Sequence, residues 1–385
     1  MNALMNPRET RGLQIAEAKE SQISRVEENF YAVKSQSGNG EYAVSVVDNE
    51  WMCECPDNKY RHVKCKHIYA VEFSKSLRAE VAITRVIPEL NAQACQYCQS
   101  TDIVKDGVRH NKHGDLQVYL CRSCDHHFTL NLGFEGMRAT PQIITSAMQL
   151  YFTSESLRNV QKFLKLQGVK ISHVSVLKWI KKYVKLMNQY VEQMKPNVSD
   201  TWRADELYVK VKGDMKYLFA MMDDETRFWI AQEVAETKEK HDARTLFIRA
   251  RSLTGKKPKT LITDGLQSYS TACQQVYGQS PNPDENTTHI RHITLKGDRN
   301  NNKMERMNGE IRDREKTFRG LKRKRTPIIS GYQIYHNYIR PHESLDGKTP
   351  AEACGIKVEG ENKWKTLIQN ASQSVEKVKS GSFHK

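Results

Sequence analysis

The sequence predicts a multidomain α+β chain. Small cysteine-rich modules and a basic helical segment come first, and a core of order β-β-β-α-β-α-β-α follows. Three observations carry that expectation. Seven of the nine cysteines lie before residue 125, in two clusters of different spacing. The positive charge is concentrated in two segments. After residue 200, stretches of period-two alternation give way to stretches of helical period. A length of 385 residues leaves room for two or three domains at about 100–200 residues each. The net charge is +15. Ten Lys/Arg against two acids between Arg138 and Pro196 contribute +8 of it, and eleven against four between Arg299 and Arg325 contribute +7. Concentrated positive charge favours polyanionic partners, because each neutralised phosphate releases counterions.

The N-terminus carries charges throughout, and no stretch reaches the roughly 20 apolar residues of a membrane span. Mean hydropathy is −0.69. A soluble, cytoplasmic protein is expected, and in that compartment paired cysteines indicate metal binding rather than disulfides.

The first cluster is Cys53-x-Cys55, then nine residues, then Cys65-x-His67. It follows the alternating stretch Tyr42–Val47 and leads into the apolar run Ile68–Phe73. Two short pairs on separate turns can close round one tetrahedral Zn²⁺. His62 competes with His67, but the Cys-x-His pairing favours His67. The pattern resembles the SWIM zinc finger, within an N-terminal module over residues 1–80. The second cluster is Cys95-x2-Cys98, 22 residues, then Cys121-x2-Cys124, a zinc-ribbon pattern within residues 90–132. Short strands are expected at Asp102–Gly107 and Leu116–Leu120, with Phe128 covering the metal. Four strong protein ligands leave no open position, so both zinc sites are expected to be structural. Cys273 and Cys354 sit in apolar contexts and are expected to pack in the core.

Residues 138–196 predict three helices. Thr140-Pro141 supplies an N-cap and a first-turn proline. A second helix runs from Ser154 towards Gly168, and a third runs from Ser172 to Pro196. Short helices about a Gly turn, with Lys178, Lys181, Lys182 and Lys185 on the last, resemble a helix-turn-helix DNA reader. An ordinary helical bundle with solvated lysines is the plainer reading, and the local +8 charge favours DNA.

From residue 200 the expected elements are strands at Trp202–Lys212, Met215–Met222 and Arg227–Val234, with a hairpin turn at Gly213-Asp214. A helix His241–Ser252, a strand Thr260–Thr263, a helix Gln267–Tyr277, a strand His289–Leu295 and a long helix from about Asn301 follow. This order resembles the RNase H-like fold of transposases and retroviral integrases. In that fold Asp205 on the first strand, Asp264 at the end of the fourth and Glu305 in the first turns of the last helix converge. The resemblance implies a pair of Mg²⁺ (or Mn²⁺) ions shared between those carboxylates and a scissile phosphate. Asp214, Asp223 and Asp224 read as turn formers, and Glu310 falls on another helix face. Glu305, Asn308, Arg312 and Arg319 share one face opposite Met304, Met307, Ile311 and Phe318. That face sets Arg312 and Arg319 to hold DNA phosphates.

Closer at hand, Ala204–Gly213, Ile262–Gly265, Asn302–Asn308 and Phe318–Leu321 are similar to the DDE transposases of prokaryotic insertion sequences. Tyr335–His342 and Lys348–Glu352 resemble the end of their catalytic domain, here placed at 200–356, with a basic and polar tail over 357–385. The 40 residues between Asp264 and Glu305 exceed the usual family spacing, and the loop Gly278–Thr288 is expected to absorb them. The resemblance implies binding of transposon terminal inverted repeats and target DNA, strand cleavage and strand transfer. It also implies nucleoid association and at least a homodimer. A domesticated, catalytically silent DNA-binding regulator and a generic RNase H-like nuclease are the alternatives. The first conflicts with the intact acids, and the second leaves the upstream modules unexplained. No P-loop signature suggests ATP-driven remodelling.

Overall fold

The computed structural model describes residues 6–16, 18, 22–27, 30–38, 40–47, 50–81, 85–90, 94–95, 97–111, 114–278, 286–291, 302–318, 321 and 326–381. The chain divides into one unit within Met1–Thr84 and another carrying Arg85–Ile293 and Asn301–Lys385.

In the first unit, helix α1 (Pro7–Ala16) precedes strands β1 (Ile23–Glu27), β2 (Phe30–Lys34), β3 (Glu41–Val47) and β4 (Glu50–Cys53). These pair in chain order as an antiparallel meander. A short helix α2 (Pro56–Arg61) and a longer α3 (Lys66–Val81) complete the unit. Alternation along β2 and β3 turns Tyr31, Val33 and Val44 inward against Ile15, Ile68 and Val71, and the thiols of Cys53, Cys55 and Cys65 are buried in the same cluster.

The second unit opens with β5 (Arg85–Ile87) and a three-stranded sheet of β6 (Ile103–Asn111), β7 (Gly114–Cys121) and β8 (His127–Thr129). Both longer strands outrun the sequence expectation. Gly107 does not end β6: at φ +86° it sits in a bulge, where the register shifts between Lys105 and Val108, and pairing resumes beyond it.

Helices α4 (Pro141–Phe152), α5 (Leu157–Leu166) and α6 (His173–Val191) follow. Their N-caps are Thr140, Ser156 and Ser172, each side chain accepting from a backbone N–H of the first turn. Val176, Trp179, Ile180, Tyr183, Val184 and Met187 bury one stripe of α6. Lys178, Lys181, Lys182 and Lys185 lie exposed on the other side.

Strands β9 (Thr201–Val211), β10 (Asp214–Asp223) and β11 (Trp229–Ala235) form antiparallel pairs; helix α7 (Lys240–Thr254), strand β12 (Thr260–Thr263), helix α8 (Gln267–Tyr277) and strand β13 (Thr288–Arg291) come next. The sheet order is β11-β10-β9-β12-β13, with β12 parallel to both its neighbours. The tight turn between β9 and β10 is Lys212-Gly213, both at positive φ, one residue earlier than expected, because Asp214 already pairs with Val211. Helix α9 (Asn302–Phe318) is followed by α10 (Pro327–Ile334), a π-helical turn (Tyr335–Ile339), α11 (Pro350–Ala353), strand β14 (Ile356–Val358) and α12 (Lys363–Gly381). Of the strand expected at His289–Leu295, residues 292–295 lie outside the described residues, as do most of the loop Gly278–Thr288, Arg319 and residues 322–325.

The reading of 357–385 as a polar tail is corrected. β14 pairs in parallel with β5, and Trp364, Leu367, Ile368 and Ala371 of α12 are buried in the core of this unit. The indole of Trp364 donates to Gln149 of α4 at 2.8 Å. Burying three such large side chains stabilises by about 1.5–3 kcal/mol each, which outweighs the polar character of the rest of the helix.

Candidate active site

Strand register brings the first two acids together. In the parallel β9–β12 pair, Thr260, Leu261 and Ile262 stand beside Thr201, Trp202 and Arg203. Continued by two residues, that register sets Asp264 beside Asp205, about one strand spacing (~4.8 Å) away. Carboxylate oxygens of Asp205, Glu206 and Asp264 all lie within 4.8 Å of one another. The backbone N–H of Leu266 donates to Asp264 at 3.1 Å and fixes its orientation.

Asp205 is held from two sides. Its Oδ1 accepts the N–H of Glu206 at 2.9 Å, and its Oδ2 accepts the amide of Asn308 at 2.8 Å. Burial first, then the charge of Glu206, pushes the Asp205 carboxyl up to about 7; the Glu206 N–H opposes this, and Asp264 and Glu305 add to it. Glu305 stands exposed in the first turn of α9, outside the 4.8 Å group but near enough for its charge to act on Asp205. Converging, partly buried carboxylates repel one another, and a hard divalent cation relieves that repulsion. The oxygen-only donor set fits such an ion.

Side chains spaced along α9 fix the helix that carries Glu305. Lys303 donates to the carboxylate of Asp224 at 2.9 Å and to its carbonyl at 3.0 Å, while Arg203 reaches the same carboxylate at 2.5 Å. Burial would raise Asp224, but these two cations hold it below the usual carboxylate range. Asn308 is 2% exposed. Glu310 pairs with Arg340 through both oxygens, at 2.5 and 3.0 Å. Arg314 is fully buried, lies 4.5 Å from the ring centroids of both Tyr151 and Phe318, and donates to the carbonyl oxygens of Tyr151, in the last turn of α4, and of Glu155 just beyond it. Arg312 is exposed on the outer side of α9.

Sequence reasoning missed the environment of Glu206. Its carboxylate is 4% exposed, paired with Lys238 at 2.7 Å and accepting from the Tyr269 hydroxyl at 2.8 Å. Alternation supplied a signal, since Glu206 must face opposite to Asp205, and a buried acid needs donors. Asp223 proves more than a surface turn former. It is fully buried and accepts from the N–H and hydroxyl of both Ser199 (2.8 and 2.6 Å) and Thr226 (2.9 and 2.5 Å).

The two thiol clusters have a different character. Sγ of Cys53 and of Cys65 lie 3.8 and 3.9 Å from Nδ1 of His67, and all four ligand atoms, with Cys55, fall within 4.8 Å. His62 is left out of the group and closes α2 in a left-handed conformation instead. In the second cluster Cys95 and Cys124 are 3.7 Å apart and Cys98 and Cys121 3.5 Å. Zn–S bonds of about 2.3 Å set neighbouring sulfurs about 3.8 Å apart in a tetrahedron, so both sets fit zinc. Phe128 packs against Cys95 and Cys121, and Cys273 and Cys354 are buried in the core.

Residues 199–342 match the family model of a DDE domain, and residues 42–76 match that of the SWIM zinc finger. The chain carries a DDE domain. Over 138 residues it is 28% identical to a transposase for the insertion sequence-like element IS431mec of Staphylococcus aureus. It shows the same identity to a transposase for insertion sequence element IS257 in transposon Tn4003 from that species. Each match covers 35% of this chain and 59% of the relative, so the chain spans little more than half the length of these relatives. Among solved structures, the HTLV-2 integrase catalytic core domain aligns at a TM-score of 0.29 and 19% identity, over 42% of this chain and 98% of that one. A simian T-cell lymphotropic virus intasome chain aligns at 0.29 and 19%, over 41% and 55%. The DDE domain holds Asp205, Asp264 and Glu305 within its bounds, and a divalent metal belongs to such a domain as zinc does to the SWIM finger. Among the described residues no helix is long and apolar enough to cross a membrane.

Proposed function

We propose that this chain is a DNA transposase of a bacterial insertion sequence, with an RNase H-like catalytic core. It binds transposon terminal inverted repeats, cleaves a strand and joins it to target DNA. The observation that carries this reading is the meeting of the Asp205 and Asp264 carboxylates in adjacent parallel strands, with Glu305 of α9 near enough for its charge to act on Asp205. In this reading the three acids are the catalytic and Mg²⁺-binding residues. What the bound ions supply is Lewis-acid stabilisation of the scissile phosphate and acidification of the attacking hydroxyl. The chain's own residues do the positioning. Asn308 and the Glu206 N–H hold the Asp205 carboxylate in one orientation, and Lys303 and Arg203, through Asp224, fix the start of α9 and with it Glu305. Arg312 meets a phosphate along the bound strand, and Arg319 is assigned the same role. The new bond joins phosphorus to the oxygen of water or of a 3′-hydroxyl, and the bond to the leaving 3′-oxygen breaks.

The helices α4–α6 are assigned to DNA-end recognition as a helix-turn-helix, with Lys178, Lys181, Lys182 and Lys185 along the DNA backbone. Two structural zinc ions, one in each thiol cluster, hold the SWIM-like and ribbon modules. The active assembly is at least a homodimer. The retained acids argue against a catalytically silent regulator. The test is to incubate purified protein with Mg²⁺ and DNA bearing the inverted repeats that flank its reading frame. Cleavage at the repeat boundary and joining to a second DNA are expected. Specific binding to the repeats with no strand cleavage would support the regulator instead.

A further inference from the structure

The open face of the β9–β10 hairpin carries an aromatic pair that catalysis by the acids does not use. Tyr208 and Tyr217 stand directly opposite each other across the two strands. Their ring centroids are 4.8 Å apart at an interplanar angle of 45°. Lys238 places its Nζ 5.2 and 5.0 Å from the two centroids and is itself anchored by Glu206 at 2.7 Å. The rings are therefore immobilised by a cation that a buried carboxylate holds in place. Tyr208 nevertheless remains 48% exposed, and Met215, further along the same hairpin, is 51% exposed. Lys210 and Lys212 are exposed beside them.

This surface adjoins the acids. Glu206, Tyr208 and Lys210 share one side of β9, and Glu206 contributes an oxygen to the carboxylate group around Asp205. Three residues on from Asp205, about 10 Å along the strand, Tyr208 lies by alternation on the opposite side of β9, and the Glu206 carboxylate, paired with the Lys238 that covers the two rings, links that side to the acids. A rigid aromatic face flanked by lysines is the chemistry that binds a base out of its stack: the ring takes the base and the ammonium groups take the backbone.

We infer that Tyr208, backed by Tyr217 and Lys238, is a stacking platform for an unpaired nucleobase of the DNA strand lying close to the cleavage position. The inference rests on the transposase reading. Its role is to hold the displaced strand on the far side of β9 from Asp205 once the duplex has opened locally. Every base has a π-face, so the platform takes its base without sequence preference. Opening costs least where pairing is already absent.

The test compares two DNA probes of one sequence, a fully paired duplex and a forked duplex whose unpaired arm carries 2-aminopurine, with no divalent ion added. Wild-type protein should bind the fork more tightly and alter the 2-aminopurine fluorescence. Tyr208→Ala should lose that preference by roughly 5- to 150-fold and abolish the fluorescence change, with duplex affinity and thermal midpoint unchanged. Tyr208→Phe and Tyr208→Trp should keep both, since the ring and not the hydroxyl does the work. Equal fork preference in wild type and Tyr208→Ala overturns the proposal. So does a Tyr208→Ala protein whose only change is in oligomeric state by light scattering, which would make the hairpin a contact between copies. A separate Mg²⁺ cleavage assay tells the two ideas apart. Wild type that cleaves, with no role for Tyr208 in fork binding, sinks the platform alone. Wild type that never cleaves sinks the transposase reading.

Discussion

The thiol clusters and the carboxylate cluster are both candidate metal sites, and they differ in what they leave open. Each thiol set offers four soft or borderline donors within 4.8 Å, mostly buried. A tetrahedral ion there has no position left for a substrate. The acids offer hard oxygens, only half buried, with the third member exposed on α9 and two members spoken for by hydrogen bonds that orient rather than enclose them. The contrast teaches that closure marks metals that hold a fold, and openness marks metals that handle a substrate.

The comparison breaks most visibly at the zinc sites. Replacing Cys95 and Cys98 together by Ser should unfold the 90–132 module, because metal binding supplies about 10–16 kcal/mol in small zinc domains. Elemental analysis should find two zinc ions per chain in wild type and one in the double variant, with weakened binding to DNA ends. A zinc-free wild-type protein, or normal end binding by the double variant, contradicts a structural role.

A smaller effect is expected where the helical segment meets the catalytic helix. Arg314→Met leaves the carbonyls of Tyr151 and Glu155 without their donor and should cost about 2–4 kcal/mol in chemical denaturation. Arg314→Lys should recover only part of it, since a single ammonium cannot reproduce the guanidinium fork sandwiched between two rings. Full stability in Arg314→Met would remove this residue as a link between α4 and α9.

The next effect tests the buried end of the DDE domain. Burial lowers His336 to about 4 and His342 to about 3, in rings 4.7 Å apart. Both are neutral in the folded state and take up protons in the unfolded chain below about 6.5. Their contribution is therefore complete above pH 6.5 and is lost as pH falls towards 4 and below, on the order of 3 kcal/mol for His336. Denaturation from pH 7 to pH 4 should show this slope, and His336→Gln should flatten it. An unchanged slope in that variant would place the acid sensitivity elsewhere.

How much of this was legible in the sequence varies with how local the cause is. Thr260–Thr263 and Gln267–Tyr277 were read with their final bounds, because a short apolar run, an Asp-Gly turn and a helix period lie side by side in the chain. The grouping of the cysteines with His67 was legible for the same reason. The partners of Glu206 were not, since Lys238 and Tyr269 come from distant segments and only the folded sheet brings them in. The bulge at Gly107 looked like a strand end because a glycine at positive φ serves either purpose. Helix α12 was masked by its lysines and glutamines, although Trp364, Leu367, Ile368 and Ala371 repeat at helical spacing and mark a buried stripe.

The smallest expected effect concerns the lysine row of α6. Changing Lys178, Lys181, Lys182 and Lys185 to Ala should lower the log–log salt slope of binding by about 0.9 per lost duplex phosphate contact. It should also reduce the preference for transposon ends over random DNA. A loss of affinity without any change in slope or preference would return these lysines to a solvated face.

The central claim is that Asp205, Asp264 and Glu305 do chemistry and do not hold DNA. The direct measurement pairs end binding with Mg²⁺-dependent strand cleavage for wild type, Asp205→Asn, Asp264→Asn and Glu305→Gln. An amide keeps the shape of each acid but withdraws the charge that divalent ions require. Each variant should bind the terminal repeats within about threefold of wild type and yield no cleaved strand. Cleavage at the wild-type rate by any one of the three would contradict the claim for that residue, and wild-type cleavage by all three would contradict it outright.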